Sequence, residues 1–144
     1  MGDFIALIGP QSQPIDGNYS LLLSVDGFAG GPAISLEQTG MIPSGANSVE
    51  FVTLNPGLFS VSINGSPITV TPLSQSGYIV SYGGNISRFA GTTATLQFTA
   101  LANSYGLELD DISFSSQSVP EPGTLALASL GGLALVSAAR KKRR

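Results

Sequence analysis

The chain has 144 residues, contains neither cysteine nor histidine, and carries a formal net charge of −3. These absences exclude disulfides, thiol chemistry, cysteine zinc sites and any Ser-His or Cys-His nucleophile. The charge is unevenly divided, because residues 1–119 hold eight carboxylates and one cation, Arg88, whereas residues 120–144 hold five cations and one carboxylate. The first part is therefore acidic, which argues against binding nucleic acid or anionic lipid through its surface charge.

From Tyr19 onward, apolar and polar residues alternate in short runs separated by Gly, Pro and Asn, a pattern typical of antiparallel β-strands. Such runs lie near residues 19–25, 34–38, 49–53, 59–63, 68–70, 78–82, 94–100 and 107–114. Asn64-Gly65 supplies the positive φ values of a tight hairpin turn. We expect Gly83-Gly84 to end the strand before it, and Asn85 to cap a single helical turn that Gly91 stops.

The last of these runs changes phase. Leu107 and Leu109 are apolar at odd positions, whereas Ile112 and Phe114 are apolar at even positions. One extra residue in a strand produces this change, so the pattern predicts a β-bulge at Asp110-Asp111. The bulge would change the direction in which the carboxylates of Asp110 and Asp111 point.

These roughly eight strands, with turn signals every 8 to 12 residues, predict an all-β fold. The expected architecture is an antiparallel two-sheet β-sandwich or jelly roll, with no helix except one in the C-terminal tail. Residues 1–118 suit a single domain with one core.

The C-terminal tail, residues 119–144, has three parts. It begins with the polar step Val119-Pro120-Glu121-Pro122, continues with an uncharged apolar run over 124–139, and ends in a block of five cations. These cations are Arg140, Lys141, Lys142, Arg143 and Arg144. The two prolines disfavour helix and keep the polar step extended and exposed.

The apolar run is a candidate transmembrane helix. Its 16 residues would form a helix of about 24 Å, short of the roughly 30 Å hydrocarbon core of a bilayer, so it is a marginal span. Snorkelling of Arg140 and Lys141 would make up the deficit, and the positive-inside rule would keep the cations in the cytoplasm. The alternative is a tail of buried core, but leucines surround the helix axis instead of forming one stripe.

The three parts of the tail, in this order, resemble the PEP-CTERM sorting signal. The resemblance implies recognition by exosortase, a membrane-embedded transpeptidase-like protease that removes the hydrophobic tail. It also implies transit through a bacterial inner membrane as a single-pass protein with a cytoplasmic C terminus, and final delivery to the cell surface or the extracellular space.

Export also calls for an N-terminal signal peptide, with basic residues before about 7 to 15 apolar ones. Here the apolar run Phe4 to Ile8 has five residues and follows Asp3. The true start lies upstream of Met1, or the gene is a fragment, or the tail inserts by itself. We expect an incomplete N terminus, because self-insertion would push the cations across the membrane.

Three segments of the domain resemble the galactose-binding-like jelly rolls found in PEP-CTERM proteins and in carbohydrate-binding modules: residues 38–43, 82–91 and 109–115. This resemblance implies a jelly roll that begins with a strand or two before Tyr19. We expect these N-terminal strands to be missing here, which would leave an exposed sheet edge. It also implies a structural Ca²⁺ near the last strand, for which Asp110 and Asp111 are the candidates. The alternative for this pair is a solvated or turn-capping role, because Ca²⁺ requires about 6 to 8 oxygen ligands.

A sugar-binding face would need flat rings, and the candidates are Tyr78, Tyr82 and Tyr105, since tryptophan is absent. Tyrosines on sandwich strands are more often packing residues. An enzyme would need two carboxylates facing each other across a cleft, and nothing in the spacing of Glu50, Asp110 or the other acidic residues asks for this. We therefore expect neither catalysis nor a cofactor.

The sequence thus predicts a non-catalytic exported protein of the bacterial cell surface or extracellular matrix. Its partners would be exosortase and the lipid bilayer. A carbohydrate-binding module that recognises extracellular polysaccharide is the alternative.

Overall fold

A computed structural model describes residues 3–25, 32–102 and 106–119. These residues form ten β-strands and two short 3-10 helices. The strands are β1 (Phe4–Ile8), β2 (Ser20–Ser24), β3 (Ile34–Met41), β4 (Ser48–Leu54), β5 (Phe59–Ile63), β6 (Ser66–Ile68), β7 (Val70–Ser76), β8 (Ile79–Asn85), β9 (Thr93–Ala100) and β10 (Leu107–Ser115). The 3-10 helices are Pro10–Ser12 and Ser87–Phe89.

The strands form two antiparallel sheets that enclose one core. The six-stranded sheet has the order β1-β2-β10-β4-β8-β7, and the four-stranded sheet has the order β3-β9-β5-β6. Apolar side chains on alternate positions of β4, β5, β9 and the first half of β10 are buried between the sheets, which is the period-two pattern that the sequence displays there. The prediction of an all-β sandwich is confirmed.

Aromatic rings join the two sheets at the centre of the core. Phe51 of β4 is 1% exposed. Its ring centroid lies 5.0 Å from that of Phe98 and 6.0 Å from that of Phe59, both in the four-stranded sheet, with edge-to-face geometry. Edge-to-face pairs contribute about 0.5 to 1.5 kcal/mol each beyond their buried area, so these rings help to hold the sheets together.

Two local predictions about the backbone are confirmed. Asn64 and Gly65 have φ values of 49° and 74°, and the hairpin of β5 and β6 closes on the pair Ile63 and Ser66. The pairing of β10 with β4 shifts register between Asp110 and Ser113, which is the predicted β-bulge.

The predicted helical turn is present as the second 3-10 helix. Oδ1 of Asn85 accepts a hydrogen bond of 3.0 Å from the backbone N–H of Ser87, at the start of that helix. Ile86 is fully buried, and Gly91 follows the turn with a φ of 73°. The amide oxygen of Asn85 thus satisfies an N–H that the short helix leaves without an internal partner.

One prediction about strand limits is wrong, and one strand is present before Tyr19, where we expected strands to be missing. Phe4–Ile8, considered above only as a deficient signal sequence, is strand β1 and pairs with β2. Gly83-Gly84 does not end a strand, because β8 continues through both glycines to Asn85. A Cβ on Gly84 would lie 2.7 Å from Cγ2 of Ile68 on the inner face, so this glycine marks a close approach within the strand.

In residues 3–25, 32–102 and 106–119, no helix has the length and apolar character needed to cross a membrane. The predicted membrane helix over 124–139 lies outside these residues.

Candidate functional site

The part of the tail that the structure describes is held on the domain by the chain that precedes it. We call residues 115–119 the junction segment, because they connect β10 to the polar step of the tail. The backbone N–H of Asn47 donates to the carbonyl of Ser115 at 2.8 Å. The side-chain amide of Asn47 donates to the carbonyl of Ser116 at 2.7 Å. One asparagine in the loop before β4 therefore fixes the first two residues of the junction segment.

The next hydrogen bond comes from a buried hydroxyl. Ser48 is completely buried at the start of β4, and its Oγ donates to the carbonyl of Gln117 at 2.8 Å. The backbone N–H of Gln117 donates in turn to Oγ of Ser115 at 3.1 Å. Because a buried serine needs a partner for its hydroxyl, this contact ties the junction segment to the outer face of the six-stranded sheet.

The last described residue of the junction segment inserts an apolar side chain into that face. Val119 is 8% exposed, although Ser118 before it is exposed. A Cβ built on Gly83 would lie 2.7 Å from Cγ2 of Val119 and 2.9 Å from Cδ1 of Leu73. Val119 therefore occupies the space that a side chain at position 83 would fill. We call this depression, with Gly83 as its floor and Leu73 beside it, the Gly83 notch.

Strand register explains why the notch opens outward. Gly83 pairs with Glu50 of β4 and Thr71 of β7, whereas its neighbours Tyr82 and Gly84 pair with the core residues Phe51 and Val49. Adjacent residues of a strand point to opposite faces, so Gly83 lies on the outer face of the sheet. The junction segment thus crosses β4 and β8 over that face.

The other residues of the predicted sorting motif and the topology anchor lie outside the described residues. They are Pro120, Glu121, Pro122, Arg140, Lys141, Lys142, Arg143 and Arg144. Val119 is the one motif residue that the structure describes, and the sequence analysis treated it as exposed. Its burial is therefore a correction, and its physical cause is the missing side chain at Gly83.

The tyrosines proposed for ligand stacking lie in different environments. Tyr78, in the turn between β7 and β8, is 76% exposed. Tyr82 is stacked on Phe51, with centroids 5.7 Å apart and an interplanar angle of 17°, and also contacts Phe59. Its ring is thus part of the core. Tyr105 lies outside the described residues.

The carboxylate of Asp110, at the bulge, accepts two hydrogen bonds from the backbone. Oδ2 of Asp110 accepts from the N–H of Asp16 at 3.0 Å, and Oδ1 accepts from the N–H of Asp111 at 2.8 Å. Asp111 has a φ of 49°, a conformation that Asp tolerates better than most residues. Asp110 thereby fastens the loop before β2 to β10. Within the described ranges, no three acidic side chains gather in a way that could hold a metal ion.

The glutamates of β3, β4 and β10 are divided between the two sheets. Glu50 and Glu108 share the outer face of the six-stranded sheet with Asp110, and Oε1 of Glu108 accepts a hydrogen bond from Oγ of Ser20. Glu37 lies on the outer face of the four-stranded sheet, where it accepts a hydrogen bond from Nε2 of Gln97. Carboxylates on opposite outer faces do not face each other across a common cleft.

The sequence analysis missed a cleft between the sheets. It has a volume of about 270 Å³, and Leu36, Leu96 and Phe98 line it from the four-stranded sheet while Ile112 and Phe114 line it from β10. The phase change at the bulge was the signal for it, because that change turns Ile112 and Phe114 toward the opposite sheet. Both remain about 40% exposed, at 43% and 40%.

Comparison with known proteins yields one family match. A family model described as the PEP-CTERM protein-sorting motif matches residues 118–144. No curated protein and no solved structure matches the chain. The matched region begins within the junction segment and includes the buried Val119. It supports sorting of the chain to the cell surface by exosortase.

Proposed function

We propose that the chain is a non-catalytic exported protein of the bacterial envelope, delivered to the cell surface or extracellular matrix by its C-terminal signal. The observation that carries the proposal is the sorting-motif match over residues 118–144. In this proposal exosortase recognises the step Val119-Pro120-Glu121-Pro122. The run over 124–139 spans the inner membrane, and the five terminal cations stay in the cytoplasm.

The composition of the domain supports a passive role outside the cell. Residues 1–119 carry a net charge of −7, from eight carboxylates and Arg88. Most polar side chains on its surface are uncharged hydroxyls and amides, and the carboxylates of Glu37, Glu50 and Glu108 lie on outer faces. Such a surface suits a soluble matrix component better than a catalyst, which needs groups with shifted pKa values converging in a pocket.

The sorting proposal is tested by replacing the motif with Pro120→Ala/Glu121→Ala/Pro122→Ala in the full gene. We expect loss of tail removal and retention of the longer chain in the inner membrane, detected by fractionation and an antibody against the domain. Pro43→Ala/Ser44→Ala, in the exposed loop before β4, is the matched control and should be processed normally. Unchanged processing of the motif variant would show that the proposal is wrong.

A jelly-roll topology with carbohydrate binding is the second candidate function. The strand order favours this topology, because without β1 and β7 the sheets have the orders β2-β10-β4-β8 and β3-β9-β5-β6. Successive strands from β2 to β5 then alternate between the sheets, as strands do in double Greek-key folds. The exposed ring of Tyr78 favours a ligand, because flat aromatic faces stack on sugar rings.

A glycan array probed with the full chain in detergent micelles tests this candidate. Retention on a neutral or acidic polysaccharide that Tyr78→Ala abolishes would support it. Tyr19→Ala removes another exposed tyrosine, with 57% of its surface accessible, and should leave retention unchanged. Failure to bind any glycan would eliminate the carbohydrate-binding role and leave the sorting proposal unaffected.

A further inference from the structure

The Gly83 notch places a constraint on how the tail is processed. Val119 is itself the first residue of the sorting motif and precedes Pro120 directly, so the domain holds the motif by its first side chain. The carbonyls of Ser116 and Gln117 are occupied by Asn47 and Ser48. The backbone on the N-terminal side of the motif is thus bound by the domain.

Proteases and transpeptidases bind their substrates as extended peptides, with main-chain hydrogen bonds and pockets for alternate side chains. A segment whose carbonyls and apolar side chain are already engaged cannot make these contacts with an enzyme at the same time. Recognition on the N-terminal side of Pro120 therefore requires the junction segment to leave the sheet.

We propose that the Gly83 notch is a positioning clasp for the sorting signal, and that release of Val119 from it precedes recognition by the processing enzyme. The inference rests on the proposed sorting function and adds the intramolecular step that controls it. In this arrangement the clasped and released states are in equilibrium, and the enzyme binds the released fraction. Apparent affinity for the enzyme then falls in proportion to that fraction.

The two glycines of β8 supply a matched pair of variants. In Gly83→Ala the new methyl group meets the ends of two side chains, Val119 and Leu73, at 2.7 and 2.9 Å. These side chains can swing away, so we expect expulsion of Val119 with the sheet intact. In Gly84→Ala the methyl group meets Ile68 at 2.7 Å on the inner face. Its methyl group also meets Cγ1 of Val70 at 3.0 Å and the backbone carbonyl of Thr69 at 3.2 Å, so this variant strains the same strand more severely than Gly83→Ala, without touching Val119.

The clasp is measured without any enzyme, by thiol labelling of the full chain in detergent micelles. The natural sequence has no cysteine, so Val119→Cys gives a single reporter, and a thiol is a small apolar group that suits the notch. We expect Val119→Cys to react with a maleimide about tenfold or more slowly than Ser118→Cys, which is exposed, because labelling requires local opening. Adding Gly83→Ala to the Val119→Cys chain should raise its labelling rate to that of the exposed reporter.

Two controls separate local release from unfolding. Adding Gly84→Ala to the Val119→Cys chain should leave its labelling slow. Val61→Cys, at a core position 1% exposed, should remain unlabelled in the presence of Gly83→Ala. Equal labelling of Val119→Cys and Ser118→Cys in the otherwise natural chain would overturn the clasp, and so would slow labelling that persists with Gly83→Ala.

The consequence for processing is measured in cells that contain exosortase, with Val119 retained. We expect Gly83→Ala to accelerate tail removal by about the factor seen in labelling, up to about tenfold, and Gly84→Ala to have no such effect. Equal rates for the natural chain and Gly83→Ala would overturn the claim that release precedes recognition. If neither chain is processed at all, the proposed sorting function is contradicted instead, and the enzyme-free labelling still decides whether Val119 is clasped.

Discussion

The two outer faces of the sandwich differ in what they do with their polar groups. On the four-stranded sheet, side chains of β3 and β9 bond to each other: Oγ of Ser35 lies 2.8 Å from Oγ1 of Thr99, and Oγ1 of Thr39 lies 2.7 Å from Oγ1 of Thr95. On the six-stranded sheet, polar groups bond to chain segments that cross the face. Asp110 holds the loop that contains Asp16, and Ser48 holds the junction segment.

This difference indicates which face is concerned with the tail. On the four-stranded face the hydroxyl groups of these two pairs, which we call the hydroxyl ladder, bond to each other within the sheet. This face carries few charges, and we expect it to be covered by water. The outer face of the six-stranded sheet is partly covered by the loop that contains Asp16 and by the junction segment. It also carries the Gly83 notch. The comparison predicts that substitutions on the six-stranded face will disturb the tail or the stability of the domain, and that matched substitutions on the other face will not.

The largest effect should come from the core on which both faces depend. Phe51→Ala removes the ring that contacts Phe59, Phe98 and Tyr82, and we expect a loss of about 3 to 5 kcal/mol in the free energy of unfolding. Chemical denaturation of the full chain in micelles measures this loss. Phe114→Ala, at a position 40% exposed in the cleft, should cost distinctly less. Equal costs would mean that the cleft is as well packed as the centre.

A smaller loss of stability should distinguish the two outer faces, when a serine of each is replaced by alanine. Ser48→Ala removes the buried donor to the carbonyl of Gln117, and we expect about 1 to 2 kcal/mol of destabilisation. Hydrogen exchange in residues 116–119 should accelerate as well. Ser35→Ala, an exposed serine on the four-stranded face, should change stability by less than about 0.5 kcal/mol. If the two serines prove equivalent, the contrast between the faces is wrong.

Asp110→Ala should cost about 1 kcal/mol, because the N–H groups of Asp16 and Asp111 lose a charged acceptor but gain water. Faster amide exchange at Asp16 would report detachment of the loop from β10. Asp111→Asn removes one charge from an exposed position and tolerates the positive φ, so it controls for the effect of net charge. An equal loss in that control would assign the effect to charge instead of to the hydrogen bonds.

The smallest effect should come from the hydroxyl ladder. Thr39→Val/Thr95→Val replaces a hydrogen-bonded pair by apolar side chains of the same shape, and we expect a change within about 0.5 kcal/mol. Thermal unfolding monitored by circular dichroism measures it. A loss above about 1 kcal/mol would show that this ladder stabilises the sheet and is more than a solvated surface.

Local features of the fold were predictable where a single residue type has a strong conformational preference. Asn64-Gly65 specified its hairpin, and the phase change beside Asp110 specified the bulge. Neighbours within each sheet were not predictable, because alternation shows which residues face the core but not which strand lies alongside.

The glycines of β8 explain why the candidate site was only partly predicted. Gly83-Gly84 was interpreted as a break because glycine is weak in strands, yet here it allows close contact on both faces. These contacts are made by residues distant in sequence, Ile68 on one face and Val119 on the other. No local sequence pattern predicts them. The motif itself was predictable because its three parts are contiguous.

The position of β10 determines how the domain responds to mechanical tension. This strand leads into the tail, yet it lies inside the six-stranded sheet, bonded to β2 on one side and β4 on the other. A pull on the C-terminal end of β10 would act first on residues 113–115, which pair with β4 alone, and only then on residues 108–109, which pair with both β2 and β4. If the tail is anchored as proposed, the three-residue overlap with β2 is the part of β10 that would separate last under tension.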